Sequence, residues 1–183
     1  MRRGIIIAWA LLGVVIVAMV VAWGRTHDAS SLNPPMLTQQ LEPVKLRGPA
    51  PDFTGTTLTG ETISNASLAG KPAVIDFFST WCSPCKQEAT GLGQVADDYK
   101  GRVRFIAVDL DDTARSDAHA FAAKHGWRFP IIWDPDDKLP SRFHVAGKPS
   151  MVIIDRDGRL VVLVPGPHML SEYRAAIDKV LAE

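Results

Sequence analysis

The chain has 183 residues, with 20 basic and 20 acidic side chains and a formal net charge of zero at neutral pH. That length accommodates one ordinary domain plus an appendage. Balanced charge without a basic stretch excludes a nucleic-acid footprint and a strongly charged partner class.

The run Ile5–Trp23, IIIAWALLGVVIVAMVVAW, carries no charged or strongly polar side chain. A helix through the hydrocarbon core of a membrane needs ~20 such residues. Residues 1–24 are therefore expected to form a signal anchor, a single transmembrane helix. Arg2 and Arg3 precede it, which predicts a cytoplasmic N-terminus and an extracytoplasmic body at the cell membrane. The alternative is a cleaved signal peptide: Val20-Val21-Ala22 fits a small-residue cleavage site, although the apolar core exceeds the usual ~7–15 residues. No cysteine follows the run directly, so a lipid-modified terminus is not expected.

Residues 25–45 are polar, with prolines at 34, 35 and 43, and show neither helical nor strand periodicity. They read as a flexible tether with a root-mean-square span of roughly 25 Å. Residues 46–183 form the compact domain. Asp52–Gly55 and Glu61–Ser64 flank Thr59-Gly60 and predict a hairpin. Pro72–Ser79, PAVIDFFS, is nearly unbroken apolar sequence, as expected of a strand covered on both faces. Ser83–Lys100 reads as a helix stopped by Gly101, and Arg102–Leu110 as the next strand.

A second helix follows, with Ala114, Ala118, Phe121 and Ala122 on one side before Gly126. Phe129–Trp133 is strand-like and Asp136–Val145 a short irregular helix. Ser150–Asp155 and Arg159–Val164 are strands joined through Arg156-Asp157-Gly158. The last helix puts Leu170, Tyr173, Ile177, Val180 and Leu181 on one side. The whole predicts an α/β domain with a mixed sheet flanked by helices.

The two cysteines, Cys82 and Cys85, lie too close in sequence for a bridge between them to stabilise the fold appreciably, so their value is chemical. They stand in DFFSTWCSPCKQE, where a buried strand ends and a helix opens. The unpaired amides and dipole of a helix N-terminus favour a thiolate at Cys82. Cys85, one turn inward, is expected to be more shielded and to attack a mixed disulfide formed on Cys82. Pro84 is tolerated in the first turn, where amides lack intrahelical partners. Zinc shares the C-x-x-C spacing, but His119 and His125 lie about 120° apart around a helix and do not converge on one ion. No metal and no cofactor are expected beyond the redox-active Cys82–Cys85 pair.

Asp76-Phe77-Phe78, Trp81-Cys82-Ser83-Pro84-Cys85-Lys86 and Gly147-Lys148-Pro149-Ser150 resemble the defining segments of thioredoxin in order and spacing. The N-terminal anchor, the Ala50-Pro51-Asp52-Phe53 segment and the extra strand–helix unit at about 103–134 resemble the extracytoplasmic TlpA/ResA/DsbE-type branch of the redoxins. The resemblance covers roughly residues 48–182. It implies a thioredoxin-like fold in which Pro149 is a cis proline beside the cysteines, its backbone neighbours binding a substrate segment as an added strand.

Asp76 shares a strand face with Val74 and Phe78, and a buried carboxylate is unfavourable unless paired or useful. The resemblance places it behind Cys85, where it would take that thiol's proton; the alternative is a strand-end carboxylate reaching water. Glu88 matches an acidic position of the same branch and would share the proton-handling role, against the alternative of a solvated helix-face glutamate. Thr90 stands where many relatives have proline. Lys148 replaces the usual small or apolar residue: its ammonium either lies near Cys82, favouring the thiolate and an acidic partner, or points to solvent. Trp81 either offers an apolar docking surface beside the cysteines or simply packs.

The first functional reading is a thiol-disulfide oxidoreductase that reduces cysteine-containing extracytoplasmic proteins, with cytochrome c maturation as a candidate setting. Electrons would come from a membrane thiol transporter, as the family implies. Ser83-Pro84 lacks the histidine found between the cysteines of strongly oxidising relatives. The alternatives are a disulfide donor working in the opposite direction and a non-catalytic copper chaperone using the same thiols. A peroxidase is disfavoured, because peroxiredoxin-like chains set a threonine and proline around a lone cysteine.

Overall fold

The computed structural model describes Met19 and residues 42–183. The rest of the apolar run and most of the expected tether lie outside the described residues. Among the described residues, no helix is long and apolar enough to cross a membrane.

A six-stranded mixed sheet carries the domain. Its centre is β4 (Ala73–Phe78), every residue of which is buried. β4 runs parallel to β5 (Arg104–Leu110), which runs parallel to β6 (Ile131–Asp134). On its other side β4 pairs antiparallel with β7 (Ser150–Ile154), and β7 with β8 (Leu160–Pro165). β1 (Val44–Lys45) closes that edge against β8, giving the order β1-β8-β7-β4-β5-β6. Residues 44 and 45, read from sequence as the end of the tether, are thus the first strand of the sheet. An exposed two-residue edge strand gives no hydrophobic pattern to detect.

The sequence of β4 follows from its two covers. Val74 and Phe78 face a core built with α2 (Ser83–Asp98), α3 (Arg115–His125) and α5 (Leu170–Ala182). Ala73, Ile75 and Phe77 face a second core with Phe53, Leu139 and Phe143. That second face is closed by α4 (Lys138–Arg142) and by α1 (Asn65–Leu68), a single turn the sequence reading did not contain. Four residues are too short to show helical periodicity. Hydrogen bonds hold α1 instead: Asn65 accepts from the Phe53 amide at 2.8 Å and donates to the Pro51 carbonyl at 3.0 Å.

The predicted hairpin forms as β2 (Thr54–Thr56) and β3 (Thr62–Ser64), a ribbon separate from the main sheet. Just beyond the ribbon, Thr57 bridges to Ile132 and the Leu58 amide donates to the Ile131 carbonyl at 2.8 Å, which covers the outer edge of β6. Gly55 is required there, since a Cβ would come within 2.5 Å of the Ile132 side chain. α3 stops where expected, at Gly126 in the left-handed region with φ 71°. The Trp127 indole then donates to the Ala89 carbonyl at 2.7 Å, fastening the end of α3 to α2.

Phe143 is fully buried, with its ring 5.3 Å from that of Phe53 and 5.7 Å from that of Phe77. Phe143→Ala empties this position and is expected to cost about 3–5 kcal/mol. Urea unfolding will show it as a lower midpoint at an unchanged slope.

Candidate functional site

β4 ends at Phe78, and the chain reaches α2 through four residues that are fixed in place. Ser79 is buried and its hydroxyl donates to the Leu110 carbonyl. The Thr80 amide donates to Asp112 Oδ2 at 3.1 Å. Cys82 has extended backbone (φ −66°, ψ 117°) and caps α2, its Sγ accepting from the Cys85 amide at 3.3 Å. Pro84 sits in the first turn, as its missing donor allows. The two cysteines are joined as a disulfide with Cα atoms 5.3 Å apart. Cys82 is 6 % exposed and Cys85 2 %, so the first is the more accessible of two well-covered residues.

The loop before β7 comes up beside this pair. The Lys148–Pro149 bond is cis. The Ser150 hydroxyl donates to the Gly147 carbonyl at 2.7 Å, and the Gly166 amide to the Pro149 carbonyl at 2.8 Å. Cys82 Sγ lies 3.9 Å from the Lys148 carbonyl oxygen. Lys148 does not point freely to solvent. Its ammonium pairs with Asp111 and lies 4.6 Å from the centre of the Trp81 ring, while its side chain is only 15 % exposed. Trp81 is 58 % exposed, a large apolar surface at the mouth of the site.

Two acids are buried on the elements that lead into and carry the cysteines, Asp76 on β4 and Glu88 on α2. Asp76 is buried on the β4 face that contributes to the cysteine-containing core, and its Oδ1 receives no hydrogen bond. Burial, reinforced by the charge of Glu88, holds its carboxyl well above the ordinary carboxylate range. Glu88 is likewise buried rather than solvated. The Tyr173 hydroxyl donates to Glu88 Oε2 at 2.8 Å. Burial pushes Glu88 up to about 7, against the lowering effect of the Tyr173 hydroxyl and the His168 amide. An open groove of about 450 Å³, lined by Pro84, Gln87, Glu88, Pro167, His168 and Met169 among others, begins at this carboxyl.

Of the residues predicted for the site, Trp81, Cys82, Ser83, Pro84 and Cys85 lie where β4 gives way to α2, Asp76 lies two residues before the end of β4, Glu88 lies within α2, and Lys148 and Pro149 stand in the loop beside Cys82. Tyr173, His168 and Asp111 were missed as site residues. Tyr173 read as one apolar position of the last helix, and nothing in a helical stripe distinguishes a packed tyrosine from one whose hydroxyl reaches an acid. His119 is exposed, and His125 bonds to the Thr90 hydroxyl at 2.9 Å. Among the described residues, no group of three or more His, Cys, Asp or Glu could hold a metal ion.

The sequence pattern of the AhpC/TSA family matches residues 46–163. The thiol-disulfide oxidoreductase ResA of Geobacillus kaustophilus is 30% identical over 132 residues, covering 72% of this chain and 75% of the relative. A secreted Mycobacterium tuberculosis disulfide oxidoreductase, homologous to E. coli DsbE, superposes with a TM-score of 0.62 at 30% identity, over 71% of this chain and 94% of its own. A thioredoxin-family thiol:disulfide interchange protein from Chlorobium tepidum superposes at 0.66 with 25% identity, over 75% and 99%.

The raised Glu88 carboxyl carries a stability signature. Between about pH 4.5, its ordinary value, and about 7, the folded protein holds a proton that the unfolded chain has lost. The folded state binds more protons across that window, so this group's contribution to stability falls as pH rises and levels off above about 7. Glu88→Gln removes this group's part of the decline and leaves that of Asp76. Unfolding free energies of the oxidised protein, measured across pH 4.5–7.5, are expected to converge on or cross those of the variant as pH rises.

Proposed function

We propose that this chain, which belongs to the AhpC/TSA family and is a thiol-disulfide oxidoreductase of ResA/DsbE type with a thioredoxin-like fold, works as an extracytoplasmic reductant of partner-protein disulfides. The observation that carries the reading is the Cys82 sulfur itself. It caps α2 with the Cys85 amide directed at it, and it stands 3.9 Å from the backbone beside cis Pro149. A sulfur there is stabilised as a thiolate by the helix terminus, and a client segment laid along the cis-proline backbone would bring its own sulfur to it.

In the reduced protein the Cys82 thiolate attacks one sulfur of a client disulfide. A mixed disulfide forms, and the client's other sulfur leaves as a thiolate. Cys85 then gives its proton to the Asp76–Glu88 pair, whose Glu88 member titrates near neutral pH. The Cys85 thiolate attacks Cys82 Sγ, the mixed disulfide breaks, and the client's second sulfur leaves. Two electrons have passed to the client, and the protein is left with its Cys82–Cys85 disulfide. The groove at Glu88 gives the proton a way to water.

The reducing direction is supported by what surrounds Cys82. The ammonium of Lys148, carried by the loop beside Cys82, is already compensated by Asp111. Two acids, Asp76 and Glu88, are buried in the same part of the fold, Glu88 on the helix that carries Cys85. Both features leave the thiolate less stabilised than in strong oxidants, and Ser83-Pro84 adds no cation. The apolar run 5–23 is the proposed membrane anchor holding the domain on the outer face, where a membrane thiol transporter would re-reduce it. Cytochrome c maturation, with apocytochrome cysteines as clients, is the setting proposed for it.

The reduction potential tests the direction: a value near about −270 mV is expected, and one near about −120 mV would make the protein a disulfide donor. Cys85→Ser is expected to accumulate mixed disulfides visible on non-reducing gels, and Cys82→Ser to form none. Asp76→Asn should slow resolution of the mixed disulfide by about 10²-fold or more, measured in stopped flow.

A further inference from the structure

The turn from β8 into α5 carries a histidine whose ring is bonded on both sides, an arrangement that the disulfide chemistry does not use. The His168 side chain is 2 % exposed. Its Nδ1 lies 3.2 Å from Glu172 Oε2, and its Nε2 lies 3.2 Å from the Pro165 carbonyl oxygen. Both partners are acceptors, so the two bonds stand together only while each nitrogen carries a proton. The same Glu172 oxygen accepts from the Met169 amide at 2.7 Å, which joins the ring to the start of α5.

The two ends of this clamp reach different parts of the site. Pro165 is paired with Ser150 across β7 and β8, and the neighbouring Gly166 amide donates to the carbonyl of cis Pro149 at 2.8 Å. At the other end Glu172 is followed by Tyr173, whose hydroxyl donates to Glu88 Oε2 at 2.8 Å. The His168 amide is the second donor to Glu88. The ionisable groups in contact with His168 are thus Glu172 and Tyr173 of α5, the latter with its ring centre 5.9 Å away, and Glu88 of α2. Leu170, in the first turn of α5, sits so close to α2 that a Cβ on Gly91 would collide with it. The turn therefore leads into a helix start seated directly on the element that carries Glu88.

We propose that His168 is a positioning residue for Glu88: its ring, bonded to the Pro165 carbonyl on one side and the Glu172 carboxylate on the other, fixes the turn between β8 and α5 and so holds the Tyr173 hydroxyl and the His168 amide on the carboxyl that takes the Cys85 proton. Without the ring, Pro165 and Glu172 are no longer tied to each other, and the two donors to Glu88 lose their fixed direction.

The inference rests on Glu88 receiving that proton, and the experiment separates the two. In the full-length oxidised protein the Glu88 carboxyl is titrated by carbon-13 NMR, with a wild-type midpoint expected at about 7. His168→Ala and Tyr173→Phe are each expected to move the midpoint upward by about half a pH unit or more, as loss of one hydrogen bond to the charged form does. Because His168 acts through Tyr173, the double variant is expected to move it by less than the sum. A midpoint that His168→Ala leaves in place, or two shifts that add in full, overturns the proposal. Should the variants not fold, the wild-type ring decides. At pH 5 both of its N–H protons are expected to exchange with water at least about tenfold more slowly than those of a free imidazolium, and rapid exchange at either nitrogen overturns the clamp. His168→Ala is also expected to slow resolution of the mixed disulfide several-fold in stopped flow. Shifted midpoints with an unchanged rate leave the clamp standing and remove Glu88 from the proton transfer instead.

Discussion

A helix must begin on something that can accept its unpaired amides, and in this protein the residue that caps α2 is a cysteine. Serine, threonine, asparagine and aspartate usually fill that position because their oxygens accept from the first turn. Here a sulfur accepts from the Cys85 amide. The electrostatics that favour negative charge at a helix start therefore act directly on the reacting atom. This works only if the start of α2 cannot wander. β4 supplies that rigidity, since it is buried on both faces and paired on both edges by β5 and β7.

Around this fixed point the protein manages protons by burial. Asp76, Glu88 and Asp109 are carboxyls with little or no water, and each is pushed toward its neutral form. They differ in outlet. Glu88 opens onto a groove and is held near neutrality by the Tyr173 hydroxyl and the His168 amide, which suits a group that must give and take. Asp109 is fully buried. Lys148, at the mouth of the site, is restrained between Asp111 and the Trp81 face.

The fold class and reaction type were legible because DFFSTWCSPCKQE fuses a two-sided strand, a helix start and two sulfurs in thirteen residues. The boundaries of β4, α2 and α3 were likewise carried by apolar runs and by Gly101 and Gly126. What the sequence could not convey was contact across distance. Lys148 offered two placements, solvent or sulfur, and the partner that holds it, Asp111, lies 37 positions away on a backbone turn that presents it. Tyr173 looked like packing, since a stripe of buried residues says nothing about where a hydroxyl ends. α1 and β1 were missed because short elements held by hydrogen bonds leave no periodic trace.

The bond from Tyr173 to Glu88 joins residues 85 positions apart, and Tyr173 belongs to the last helix of the chain. Synthesis delivers the two cysteines long before it delivers α5. Until that helix docks, Glu88 lacks one of the two donors that lower it, so a half-made chain carries its sulfurs without the finished proton acceptor. Completion of the fold and readiness of the chemistry are thereby one event, set by the docking of α5.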